Sequence, residues 1–243
     1  MNTGFRFIFI LILPLISNLA LAEETIVLAT AGAMPPLHTD DSSGFTDIVL
    51  IEAFKRIGYK LDIRVLPAER SLLISNRGII DGEVQRISGM EKDYPNLIRV
   101  PEKLIDWKFV VFSKKNISTE KGWNSLKPYV TSFITGWKIF EYNVPKDVTT
   151  SKVRNPNGLF SLLENDRTDL ILYELWQGLE HIKAHKYQNI KAQLPPLVQK
   201  EMFPYLHKKH AHLVPKLAQS LKEMKKDGTY KSIYQRLLSP LEK

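Results

Sequence analysis

Residues 32–67 read GAMPPLHTDDSSGFTDIVLIEAFKRIGYKLDIRVLP, and this stretch decides the fold. Leu50, Ala53, Phe54 and Ile57 fall at i, i+3, i+4 and i+7, one apolar stripe of a helix. Thr46 or Asp47 supplies a cap at its start, and Gly58 closes it. The period then changes from 3.6 to 2. Leu61, Ile63 and Val65 alternate with Asp62 and Arg64, which predicts a half-buried strand ended by Pro67. Upstream, the β-branched run Thr25–Ala29 predicts a strand, and the Pro- and Asp-rich segment after it is turn chemistry. Downstream, a short helix through Leu72 and Leu73 stops near Gly78, and Ile79–Val84 predicts another strand. The order β-α-β-α-β is that of an open sheet covered by helices.

A second α/β set follows. Trp107–Ser113 (WKFVVFS) predicts a strand, and the polar stretch Lys114–Gly122 after it is a candidate crossing between two lobes. Tyr129–Ile134 and Asp169–Tyr173 predict strands, and Thr135-Gly136 opens a candidate helix. Leu159, Leu162 and Leu163 form a helical stripe. QLPPLVQ (193–199), with Pro195-Pro196, is a candidate return crossing. Leu217, Leu221 and Met224, then Tyr230, Ile233, Tyr234 and Leu237, mark two closing helices punctuated by Gly228. Two α/β halves fit ordinary domain sizes better than one large core.

The first 22 residues, MNTGFRFIFILILPLISNLALA, place Arg6 before an apolar run and end in Ala20-Leu21-Ala22, which predicts a cleaved secretory signal peptide. The chain has 243 residues and no cysteine. That excludes a disulfide framework, a thiolate nucleophile, a Cys-type zinc site and a lipid-modified cysteine. The expected product is free in the periplasm. The net charge is +8, but export and the mixing of Lys and Arg with acids argue against a nucleic-acid partner. The densest basic cluster, Lys222–Lys226, reads as a solvated helix face.

In segment order the chain resembles the bacterial extracellular solute-binding proteins of family 3, the periplasmic amino-acid-binding type. The similar pieces are the opening 32–67, NRGIIDGEV (76–84), WNSLKPYVTSFITGWKIFE (123–141), GLFSLLENDRTDLILYE (158–174) and the closing LHKKHAHLVPKLAQSLKEMKKDGTYKSIYQRL (206–237). The resemblance implies a two-lobed type II periplasmic-binding fold, each lobe an open mixed sheet flanked by helices. Residues 23–113 with 203–243 would form the first lobe and 114–202 the second. It further implies a ligand cleft between the lobes that closes by hinging, a small polar solute (amino-acid-like or an organic anion), an inner-membrane ABC permease as partner, a monomer, no cofactor and no catalysis. The alternatives are a periplasmic dehydratase-like enzyme on the same fold and a ligand-sensing partner of a membrane receptor.

The sequence departs from that family at one point. Family members carry Ser/Thr-x-x-Arg after the Asp-Gly strand, and its Arg forks onto a ligand carboxylate. Here the segment is DGEVQRISGMEKDYPNLIRVPEKL (81–104), and the corresponding positions are Glu91 counted from Ser88 or Asp93 counted from Asp81. Arg86, near the strand's end, is the substitute anion binder, unless it pairs with Glu83 or Asp81. PAERS (67–71) and YPNL (94–97) are similar to elements of divergent family members.

The remaining candidate ligand-binding residues follow from position. Glu69 and Arg70 start a helix at a sheet edge, suited to an ammonium and an anion respectively; their bland role is a dipole-favoured acid and a structural ion pair. Thr135, Gly136 and Trp137 offer a helix N-terminus to an anion, with Trp137 otherwise core. Tyr173 and Glu174 end a strand at the expected cleft mouth, Glu174 facing an amino group. Trp107 is a candidate cleft wall, but as the start of a strand it reads as core, and His38 reads as a surface-loop residue. His181 and His185 have metal-ligand spacing, but no third ligand stands out, so no metal is expected. His207, His210 and His212 read as solvated. No phosphate loop, dinucleotide fingerprint or nucleophile elbow is present in the sequence.

Overall fold

Thr25–Ala31 forms strand β1, and the periodic run forms helix α1 (Phe45–Arg56). These are seen in a computed structural model that describes residues 24–31 and 34–242; the expected signal peptide lies outside them. Gly44 caps α1, with the Asp47 carboxylate accepting its N–H at 3.1 Å and that of Thr39 at 3.0 Å. Asp47 is buried and pairs with Nδ1 of His38. His38 is therefore an interior partner and not a surface-loop residue, because a buried carboxylate needs one. The left-handed turn at Gly58, φ +83°, ends the helix as expected.

The chain continues through β2 (Lys60–Leu66), α2 (Ala68–Asn76), β3 (Gly82–Ile87), β4 (Leu97–Arg99) and β5 (Ile105–Ser113). Then come β6 (Thr131–Ile134), α3 (Lys138–Asn143), β7 (Thr150–Val153), α4 (Pro156–Glu164), β8 (Leu170–Glu174) and α5 (Leu175–His185). The last elements are β9 (Lys191–His207), α6 (Val214–Lys226) and α7 (Thr229–Leu237). The sheet order is β2-β1-β3-β9-β5-β8-β6-β7, with β4 paired to β9. Two parallel sets, β2-β1-β3 and β8-β6-β7, flank an antiparallel centre. Val65 is exposed because β2 is an edge strand.

The two sets are joined inside strands. Met202 of β9 pairs with Ile87 of β3 and with Ile105 of β5, while β5 pairs with β8 from Phe109 to Phe112. Lys114–Gly122, read as a linker from its polarity, lies beyond this passage, and Pro195-Pro196 sits within the long β9. A β-ladder keeps its backbone groups paired while it crosses, so no polar loop is needed. One buried cluster unites α1, α6 and α7 with both sides of the centre; a second is centred on Phe109, Phe133 and Phe140.

Candidate functional site

Parallel strands aim their carboxyl ends one way, and open α/β sheets bind ligands beyond those ends. Here β1 ends at Thr30-Ala31, β6 at Ile134 and β8 at Tyr173-Glu174. Two adjacent chambers that share lining residues lie there. The inner, about 230 Å³, is lined by Thr30, Gln85, Arg86, Trp107 and Met202. The outer, about 720 Å³, is lined by Arg154, Tyr173, Gln177, Glu180, His181 and His185 among others. Ala31, Met34 and Trp137 border both.

Trp137 borders both chambers with an aromatic face. Its ring stacks on Tyr173 with centroids 4.8 Å apart and on Phe140 at 5.6 Å, with Phe109 edge-on at 6.2 Å. Burial pushes the Tyr173 hydroxyl pKa upward, so the phenol stays protonated.

Buried polar groups normally have partners. Thr30 Oγ1, both amide atoms of Gln85, Trp107 Nε1, Gln177 Nε2 and His181 Nε2 are buried atoms with no hydrogen-bond partner among the described residues, and every one belongs to a chamber wall. Desolvation and the neighbouring His185 lower the His181 pKa to about 4, so the imidazole is neutral at neutral pH. Its ring stacks on His185, with centroids 4.0 Å apart.

The expected residues are distributed unevenly around this cleft. Arg86 reaches the inner chamber but is tied to Glu83: Nε and Nη2 donate to Glu83 Oε2 at 2.9 and 2.7 Å, and Nη2 also donates to Ser71 Oγ at 2.7 Å. Glu83 is fully buried and takes a further bond from Ser75 Oγ at 2.8 Å. Glu69 and Arg70 stand exposed on the first turn of α2 and line neither chamber, since that turn faces solvent beside the edge strand. Thr135 and Gly136 are also exposed, and the Gly136 N–H already donates to Glu141 Oε1 at 3.0 Å. The chain's own carboxylate, flanked by Lys138 and Lys152, occupies that helix start. Trp137 and Tyr173 do line the cleft. Glu174 does not reach the mouth: it is fully buried, and Oε2 caps α5 by accepting the Gln177 N–H at 3.0 Å. Burial raises its carboxyl pKa to about 7.

Sequence reasoning passed over Thr30, Gln85, Gln177 and the cleft position of His181, and it favoured core over cleft wall for Trp107, which lines the inner chamber. The available signal was position: Thr30 closes a parallel strand, Gln85 precedes Arg86 near the end of another, and Gln177 follows a strand end by three residues. Two further histidines are packed, not solvated. His207 is buried, and His210 Nε2 lies 2.8 Å from Asp81 Oδ1.

The architecture defines the class: a two-lobed fold of the periplasmic-binding-protein type. No family model matches the chain. A protein of Shewanella oneidensis, described as uncharacterized, is 26% identical over 209 residues, spanning 82% of this chain and 77% of that protein. An ancestral arginine-binding protein bound to arginine superposes with a TM-score of 0.69 at 21% identity, over 88% of this chain and 97% of that one. A histidine kinase sensor domain with similarity to periplasmic binding proteins gives 0.70 at 17% identity, over 89% and 97%. An ancestral amino-acid-binding protein described as a precursor of cyclohexadienyl dehydratase gives 0.67 at 16%, over 88% and 95%. What these structures share with the chain is its fold.

Proposed function

We propose that this protein is a non-catalytic periplasmic solute-binding protein that captures a small polar solute between two lobes. The observation that carries this reading is that six of the nine unpartnered buried polar atoms among the described residues belong to residues lining the two chambers. Such atoms are unfavourable in a closed interior and suited to a bound partner. On this reading residues 23–113 with 203–243 form one lobe and 114–202 the other, with hinge motion in β5 and β9. Residues 1–22 direct export and are removed. The mature monomer then delivers its solute to an inner-membrane ABC permease.

The test is a thermal-shift screen of residues 23–243 against amino acids, their amides, polyamines, organic acids, opines and short peptides. A solute at 100 times its dissociation constant adds about 2.7 kcal/mol, several degrees of melting temperature. Absence of any stabilising solute refutes the reading. Recovery of the bound solute unchanged separates a binding protein from a dehydratase-like enzyme. A sensory role uses the same closure, and its support is the shared fold of the kinase sensor domain. Pull-down from membranes with solute present distinguishes a permease from a receptor.

A further inference from the structure

The inner chamber has a chemical character of its own. Gln85 brings two N–H donors and a carbonyl acceptor, Trp107 one N–H donor, and Thr30 a hydroxyl that does either. These groups are unpartnered, and the Gln85 and Thr30 side chains are more than nine-tenths buried. Because both amide atoms of Gln85 are unpartnered, exchanging its oxygen and nitrogen leaves the inventory unchanged.

Among the described residues, the one charged side chain on the wall is Arg86. Its charge is already matched by Glu83, to which it donates twice. A carboxylate entering here would meet a neutralised guanidinium with a second carboxylate directly behind it. It would also have nothing to donate to the Gln85 carbonyl. A carboxamide or ureido group has a donor and an acceptor side by side, which matches the paired donor and acceptor of the Gln85 amide and leaves groups for Trp107 and Thr30 to meet. At about 230 Å³ the chamber is smaller than the roughly 300–1,000 Å³ of a whole ligand site and suits one end group. The rest of the solute would pass Trp137 into the outer chamber.

We infer that the inner chamber selects an uncharged carboxamide or ureido end group over a carboxylate. This deepens the solute-binding reading and rests on it, and it names the ligand class: small solutes with an amide- or urea-bearing end.

The test uses fragments, so it does not depend on knowing the solute. Acetamide, N-methylurea and acetate are titrated separately into ¹⁵N-labelled residues 23–243. The Trp107 indole N–H and Gln85 side-chain NH₂ signals are followed, assigned with Trp107→Phe and Gln85→Leu. The expected result is that both neutral fragments move both signals together, with acetate about tenfold weaker or worse. The response should vanish in Gln85→Leu, which melts no lower than wild type because the buried amide it loses has no partner. Gln85→Met serves as the control if the leucine variant does not fold. Acetate binding as well as acetamide overturns the inference. So does silence from both neutral fragments, or a response that survives loss of the amide. A solute hit in the thermal screen without amide preference refutes this inference and leaves the solute-binding reading standing. Fragment binding with no stabilising solute does the reverse.

Discussion

Replacing Arg86 with alanine separates two readings of that residue. A ligand clamp would lose anion binding and keep its fold. The structure makes Arg86 the counter-ion of a fully buried Glu83, with its own side chain only 15% exposed. Removing one partner of a buried pair costs about 3–5 kcal/mol, chiefly by stranding the other charge. The stranded carboxyl has an escape, which is to bind a proton. Desolvation already favours that proton in wild type, and loss of the guanidinium favours it further. Arg86→Ala should therefore lose about 3 kcal/mol at pH 7. That corresponds to a fall of about 6–12 °C in melting temperature for a chain of this size.

The sign of the pH dependence is distinctive. Desolvation already holds the Glu83 pKa above 4.5 in the fold despite Arg86 and the two serine hydroxyls. The folded state therefore binds this proton more tightly than the unfolded state, and the group's contribution to stability falls as pH rises above 4.5. Without Arg86 that fall steepens, so the deficit of the variant should be smaller at pH 5 than at pH 7. Urea unfolding of residues 23–243 at pH 5 and pH 7 measures it. The pair Glu83→Gln/Arg86→Met, which removes both charges, should recover most of the loss. An Arg86→Ala protein as stable as wild type at pH 7, with solute affinity abolished, would refute this account and restore Arg86 as a clamp.

Two other substitutions probe the frame of the site. Burial lifts the Glu174 pKa to about 7, so its charged form penalises the fold increasingly from pH 4.5 to 7 and constantly above. Glu174→Gln keeps an acceptor for the Gln177 N–H. It should gain on wild type by up to about 3 kcal/mol between pH 5 and pH 8 in urea titrations; a pH-independent difference counts against the buried charge. At Gly178 in α5, an added Cβ would stand 2.2 Å from Phe112 Cζ. Alanine's helix preference of about 1 kcal/mol is then outweighed by overpacking of about 1–3 kcal/mol or more. Gly178→Ala should melt lower, with partial recovery on adding Phe112→Leu; a higher melting temperature would show that α5 does not press on β5 this way.

Periodicity made the elements legible, but it does not report who stands opposite. Leu50, Ala53, Phe54 and Ile57 announced α1 because a 3.6-residue repeat survives in one dimension. Val65 alternated correctly yet is exposed, since the position of β2 at the sheet edge is a property of the whole sheet. His38 looked like a loop residue because its burial depends on Asp47, nine residues on. The crossing between halves was sought in polar segments, whereas IDWKFVVFS crosses as a paired strand. Arg86 was located correctly near a strand end. Its direction is set by Glu83 on its own strand and Ser71 on α2, which spacing could not reveal. The helix start at Gly136 was legible, but not that Glu141, five residues later, fills it. Gln85 carried only a signal of position near a strand end, because a glutamine in a strand reads as a solvent-facing residue.

That weak signal follows from how such a cleft works. Thr30, Gln85 and Trp107 keep polar atoms buried without protein partners, and each must be matched by the solute or left unpaired at about 1–3 kcal/mol. That is roughly 5- to 150-fold in affinity per group. Groups lying together around one small chamber act on the same part of the solute, so one ill-matched end group fails against several of them at once. Selection of this kind comes from rejection more than from attraction. It needs side chains that make no bond in the absence of solute, and their residue types are those most easily mistaken for ordinary surface.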